Sequence, residues 1–209
     1  MAAPRAKSAL APLCLALTLS LFALAAASAA RAQTWNEVGD AGDLPATAQT
    51  TIGTGQLTQI NGNLASPTDV DMYCISAEPG AYVCLQCVLI QGPDLWIFDA
   101  TGKGVAANST CSGGCKLVTA VLSPGTYYVA VSYDGIYPLS GSNPIWVPGN
   151  FPQRAPDGPG AAGVVTAWTG SPIVQPLNPY SITLGSVTYC GIVNPALKET
   201  WGRLKLLYR

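Results

Sequence analysis

Short apolar runs that alternate with polar residues recur along the chain, each closed by Gly, Pro, Asn or Asp. "GQLTQINGNL" is followed by "DVDMYCISA", "AYVCLQCVLI", "DLWIFDA", "CKLVTAVL", "TYYVAVSY" and finally "YSITLGSVTYC". The breaks are "EPG", "QGPD", "ATGKG", "CSGGC" and "SPG". Tyr, Val, Thr, Ile and Trp dominate the runs, as half-buried pleated surfaces favour. One sheet cannot hide its apolar face alone, so the pattern predicts an all-β, antiparallel β-sandwich of jelly-roll type.

Three stretches break the pattern. Arg5 and Lys7 precede a long apolar run that ends in "ARA" (Ala30 to Ala32), the layout of a cleaved export signal over residues 1–32. An uncleaved membrane anchor is the alternative, since the run is almost long enough to span a bilayer. The tail over 191–209 has Asn194 as N-cap and Pro195 at the first helical position. Leu197, Trp201, Leu204 and Tyr208 then share one face of a basic, amphipathic helix. That helix would either pack on the domain or serve as a sorting signal or surface tether. Between the sixth and last runs lies a Pro- and Gly-rich insertion, about residues 136–178, carrying Tyr137, Trp146, Phe151 and Trp168. Large aromatics in such a loop either anchor a ligand or fold back over their own sandwich.

Composition narrows the setting. Removing Arg5, Lys7 and Arg31 from the ten basic residues leaves seven against eleven acidic ones, a net charge of −4. Such a surface lacks the basic patch that nucleic acid demands. The domain expected over 33–190 is long enough to bury a core.

Of seven cysteines, Cys14 falls in the leader; Cys74, Cys84, Cys87, Cys111, Cys115 and Cys190 follow it. An even count in an exported chain reads as up to three disulfides with open connectivity. The spacing Cys84-x2-Cys87 … Cys111-x3-Cys115 also resembles a four-thiolate zinc site, which an oxidising compartment disfavours. "CLQC" sits in a strand pattern rather than at a helix N-terminus, which is unlike a redox pair.

The order "GDAGDLPATAQT", "INGNL", "DVDMYCI", "DLWIFDATGKGVA" and "LSPGTYYVAVS" resembles the bacterial pre-peptidase C-terminal domain family. These are secreted β-sandwich modules related to the collagen-binding domains of clostridial collagenases. The match runs from Trp35 to Tyr133 and resumes at Tyr180 to Cys190. Some collagen-binding relatives hold calcium where a segment before the first strand meets the "DxD" corner. The matching positions here are Glu37, Asp40 and Asp43 upstream, with Asp69 and Asp71 at the corner. Calcium takes six to eight oxygens, so carbonyls or water would complete the shell. The alternative is that Asp69 and Asp71 cap the preceding turn through backbone N–H groups. Along the strand, Tyr73 and Ile75 should enter the core while Asp71 sits at its start. Met72 at an aromatic position, six cysteines and the long insertion depart from the family pattern.

Little in the chain suggests catalysis. It contains no histidine, which removes Ser-His-Asp and Cys-His triads and histidine-ligated zinc hydrolysis. Asp69 and Asp71 could reach the spacing of an inverting glycosidase, but no sugar cleft is visible in the sequence. "NST" at Asn108 fits a glycosylation sequon and implies a loop. The sequence therefore predicts a non-catalytic, extracellular or cell-surface module that binds a protein or polysaccharide, and the family resemblance implies calcium as a stabilising ion. Its alternative is a structural spacer displayed through its tail.

Overall fold

The computed structural model describes residues 33–87, 92–111, 114–119, 122–173 and 179–192. The leader expected over 1–32 and the helix expected from Asn194 lie outside these residues. Among the described residues every regular element is a strand, and none is a helix long and apolar enough to cross a membrane. The first half of the chain forms β1 (Gln33–Asn36), β2 (Gln49–Thr50), β3 (Ile52–Gly53), β4 (Leu57–Gly62), β5 (Val70–Gln86), β6 (Asp94–Asp99) and β7 (Gly104–Asn108). The second forms β8 (Cys115–Thr119), β9 (Gly125–Ser132), β10 (Ile136–Ser140), β11 (Asn143–Pro144), β12 (Ala167–Gly170), β13 (Tyr180–Tyr189) and β14 (Gly191–Ile192).

Nine strands form one sheet in the order β1-β4-β13-β5-β9-β6-β7, with β2 and β8 also paired to β5. Strand β5 holds the architecture together. Its first half, Val70 to Ala77, pairs with β9, and its second half, Tyr82 to Gln86, pairs with β8. Strand β13 follows the other edge of both halves. Between them residues 78–81 face only Ser186, whose φ is 52°. Unequal residue counts across a ladder bend the strand. The sheet folds over at this corner into two layers.

Period-two alternation then decides what is buried. Tyr73, Ile75, Leu95, Ile97, Val129 and Val131 come inward from one layer; Ile60, Val83, Leu85, Val118, Ile182 and Leu184 come from the other. Each fully buried aliphatic side chain contributes about 1.5–3 kcal/mol.

Four expectations need correction. "EPG" does not separate two strands, because β13 holds both sides of it in one continuous β5. The sheet is mixed, not purely antiparallel: β1 pairs parallel with β4, and β2 with β5. The sequon residue Asn108 ends strand β7 instead of sitting in a loop, and its buried amide donates to the Leu117 carbonyl at 2.9 Å. Gly191 and Ile192, assigned to the tail, pair parallel with Ile52 and Gly53.

The insertion builds a small sheet of its own, β11-β10-β12. It covers the outer face of β6, where Trp96 and Phe98 alternate with the inward Leu95 and Ile97. Trp146 packs against Trp96 and Phe98, with ring centroids 5.3 Å and 5.8 Å away. Tyr137, Phe151 and Trp168 also surround Trp96, at about 6 Å each. Strand β6 is consequently buried on both faces.

Candidate functional site

Glu37 follows β1, and its backbone N–H donates to the Asn61 carbonyl at 2.9 Å. The chain then turns through Gly39, whose φ of 72° suits glycine. Gln49 clamps this turn: its side chain accepts from Trp35 Nε1 and Val38 N and donates to the Val38 carbonyl. The Glu37 carboxylate accepts the N–H groups of Ala41 and Asn63 at 3.0 Å and 2.8 Å. Asp40 is thereby turned back toward β5. Carboxylate oxygens of Glu37, Asp40 and Asp71 lie within 4.8 Å of one another.

Asp71 departs from the sequence expectation. It opens β5 as predicted, but it is fully buried, whereas Asp40 is exposed. Its Oδ2 accepts from the Tyr180 hydroxyl at 2.6 Å, and its Oδ1 has no hydrogen-bond partner among the described residues. Burial pushes its carboxyl up to about 8; the Tyr180 hydrogen bond opposes that shift, and the charges of Glu37 and Asp69 add to it. Ion pairs among the described residues are Lys116–Asp94 and Arg154–Asp157, so no basic side chain pairs with this cluster. Three carboxylates around an orphaned, desolvated oxygen suit a hard divalent cation. The donor set fits calcium.

Asp69 and Asp43 stand apart from that set. The Asp69 carboxylate accepts the Ala65 N–H and closes the turn before β5. It therefore does the capping work that an Asx residue does in turns. Asp43 is exposed, and its backbone carbonyl accepts Trp168 Nε1 at 2.7 Å.

The cysteines are joined as Cys74–Cys190, Cys84–Cys115 and Cys87–Cys111, with Cα separations of 5.5, 5.7 and 6.1 Å. The four cysteines with zinc-like spacing are thus taken by two disulfides and leave no thiolate set for a metal. Of the insertion's aromatics, Trp146 is 0% and Phe151 4% exposed, so both face the fold. Tyr137 and Trp168 are half-buried against the same core.

Another surface had no signal in the sequence beyond its polar alternation. On the outer face of the second layer, Asn61 Nδ2 donates to Asn36, and Gln59 Nε2 donates to Asn61 and Ser181. Gln86 Nε2 donates to Thr183 at 3.1 Å. Tyr82 lies over Gly185, where a Cβ would collide with its ring. The result is an open, uncharged face of amides and hydroxyls with Tyr82 and Leu117 exposed at one side.

No family model and no curated protein matches the chain. Among solved structures it is similar to the pre-peptidase C-terminal domain of a collagenase from Bacillus anthracis. That match has 12% identity, covers 74% of this chain and 97% of the other, and has a TM-score of 0.35. Similarity at that level does not assign the chain to the family.

Proposed function

We propose that the protein is a secreted, non-catalytic binding module, with calcium held by Glu37, Asp40 and Asp71. Its ligand is an extracellular polysaccharide lying on the outer face of the second layer. The carrying observation is the chemistry of that face: Gln59, Asn61, Ser181, Thr183 and Gln86 offer donors and acceptors without charge, beside the flat ring of Tyr82. Neutral sugars present the complementary hydroxyls. An extracellular protein, the other partner class, would want a larger apolar centre than this face provides. The spacer reading draws support from the insertion, whose Trp146 and Phe151 are buried by the fold itself.

Binding of the secreted protein to a panel of neutral and charged glycans, and to immobilised collagen, tests the assignment. Retention by a neutral glycan that falls at least tenfold in Tyr82→Ala and Gln59→Ala supports it. Retention by collagen alone, or by no probe at all, rejects the polysaccharide assignment.

A further inference from the structure

Lys116 is an inward-facing charge on β8, opposite Leu85 of β5. Its side chain is 0% exposed, and its Nζ lies 2.7 Å from Oδ1 of Asp94, whose side chain is 1% exposed. Nζ also donates to the Gly92 carbonyl at 2.9 Å. Among the described residues, the remaining oxygen of Asp94 has no hydrogen-bond partner, and neither does Oδ2 of the buried Asp134. Lys116 and Asp94 are therefore in direct contact away from water, and the buried Asp134 carboxyl is near enough for its charge to act on Asp94 and to feel that of Lys116. An ion pair kept only for stability would be costly here, since burial removes the hydration of both charges. Unsatisfied second oxygens add to that cost.

We propose that Lys116 and Asp94 form an intramolecular isopeptide bond, with Asp134 carrying the proton. Transfer of one proton across the Lys116–Asp94 contact turns the ion pair into a neutral amine and a neutral carboxylic acid. The Nζ lone pair attacks Cγ of Asp94, and the carbonyl electrons move onto its oxygen. Asp134 accepts a proton from Nζ and delivers it to the departing hydroxyl. Collapse of the tetrahedral intermediate breaks the C–O bond and forms the amide. The products are one amide and one water, and no outside reagent enters the balance.

Physical conditions favour this step here. In open water the amine and acid stay ionised and do not condense. Burial opposes both charges, and fixed contact supplies an effective molarity on the order of 10⁵ M or more. Burial first of all raises the Asp94 carboxyl, to about 8, against the opposing pull of Lys116; the charge of Asp134 raises it further. The Asp134 carboxyl is raised by burial as well. The bond would tie β6 of the first layer to β8 of the second, beside the two disulfides that already link this region.

Intact mass of the secreted protein, fully reduced, alkylated and denatured, decides the matter. The expected mass is one water below that of the processed sequence. A tryptic map should then show the peptide ending at Lys103 joined to one that reads through an uncleaved Lys116. That junction separates the isopeptide from dehydration at Asp134-Gly135 or Asp157-Gly158, which joins no two peptides. Lys116→Arg should regain the water, and Asp134→Ala should regain it wholly or slow its loss more than tenfold. A wild-type protein of full mass overturns the proposal without reference to any variant. Water loss that persists in Lys116→Arg overturns it too, and Asp134→Ala reacting at the wild-type rate removes Asp134 from its role.

Discussion

Tyr73 and Tyr180 stand 107 residues apart in the chain and meet hydroxyl to hydroxyl at 2.6 Å between the two layers. Tyr180 donates onward to Asp71, so Tyr73 donates to Tyr180 and the relay ends at the buried carboxylate. Burial pushes both phenols well above their ordinary range, which keeps their protons in place. Gly62 makes room for the relay, because a Cβ there would collide with both hydroxyls.

Tyr180→Phe should remove the hydrogen bond that Tyr180 donates to the Asp71 side chain. Stability should fall by about 1–3 kcal/mol, the usual cost of orphaning a buried polar group. Calcium affinity should fall with it, as Asp71 loses its orientation. Gly62→Ala should be at least as damaging, because both rings must move. Urea midpoints with and without millimolar calcium would measure this; a Tyr180→Phe midpoint equal to wild type would exclude the relay as a support for Asp71.

The pH dependence of the metal-free protein should carry the signature of Asp71. Its folded carboxyl titrates near 8 against an ordinary value of 3.8. Between those values the folded state holds a proton that the unfolded state has lost. Stability in chelator should therefore decline as pH rises from about 4 to about 8 and then level off. If calcium binds at the proposed site it takes the place of that proton, so the decline should shrink when calcium is present. Asp94, also raised to about 8, would add the same slope unless it is consumed in an amide. Asp71→Asn isolates the first contribution, and a melting profile unchanged by that substitution would contradict it.

Replacing Cys74 and Cys190 together by alanine should cost about 2–5 kcal/mol, with the longest closed loop losing the most. The bridge joins residues 116 positions apart and ties β5 to the end of β13. Thermal unfolding of the double variant, with the other two disulfides verified intact, gives the value. A loss under about 1 kcal/mol would mean that the unfolded chain is already compact.

Trp146→Ala should cost about 3–5 kcal/mol, as for other buried tryptophans. Trp168→Ala should cost less, since that side chain is only half-buried. If Trp146→Ala instead melts like wild type while ligand binding drops, the insertion is a ligand-binding loop after all.

Much of the fold was legible because burial in a sheet follows a period of two. Tyr73 and Ile75 showed it, and both enter the core. Even the Lys116 pocket left a trace: in "CKLVT" the lysine shares a face with Val118, and an inward charge on a strand requires a partner. What the pattern could not show was where strands continue. "EPG" reads as a turn locally, and only pairing with β13 across the chain makes it a corner. The acidic cluster was half legible. Glu37, Asp40 and Asp71 converge, but Asp69 two residues away binds its own turn, a choice set by backbone N–H geometry rather than residue type. The insertion's burial was hidden for a related reason, because Trp96 draws its aromatic neighbours from across the chain.

The two neighbouring disulfides are nested, Cys87–Cys111 inside Cys84–Cys115. Strands β6 and β7 lie wholly within the inner ring. A protease that nicks the backbone anywhere from Leu95 to Asn108 releases nothing, since both fragments stay fastened at the ring's neck. Such a cut would be invisible on a non-reducing gel, and the hairpin could be clipped without the molecule falling apart.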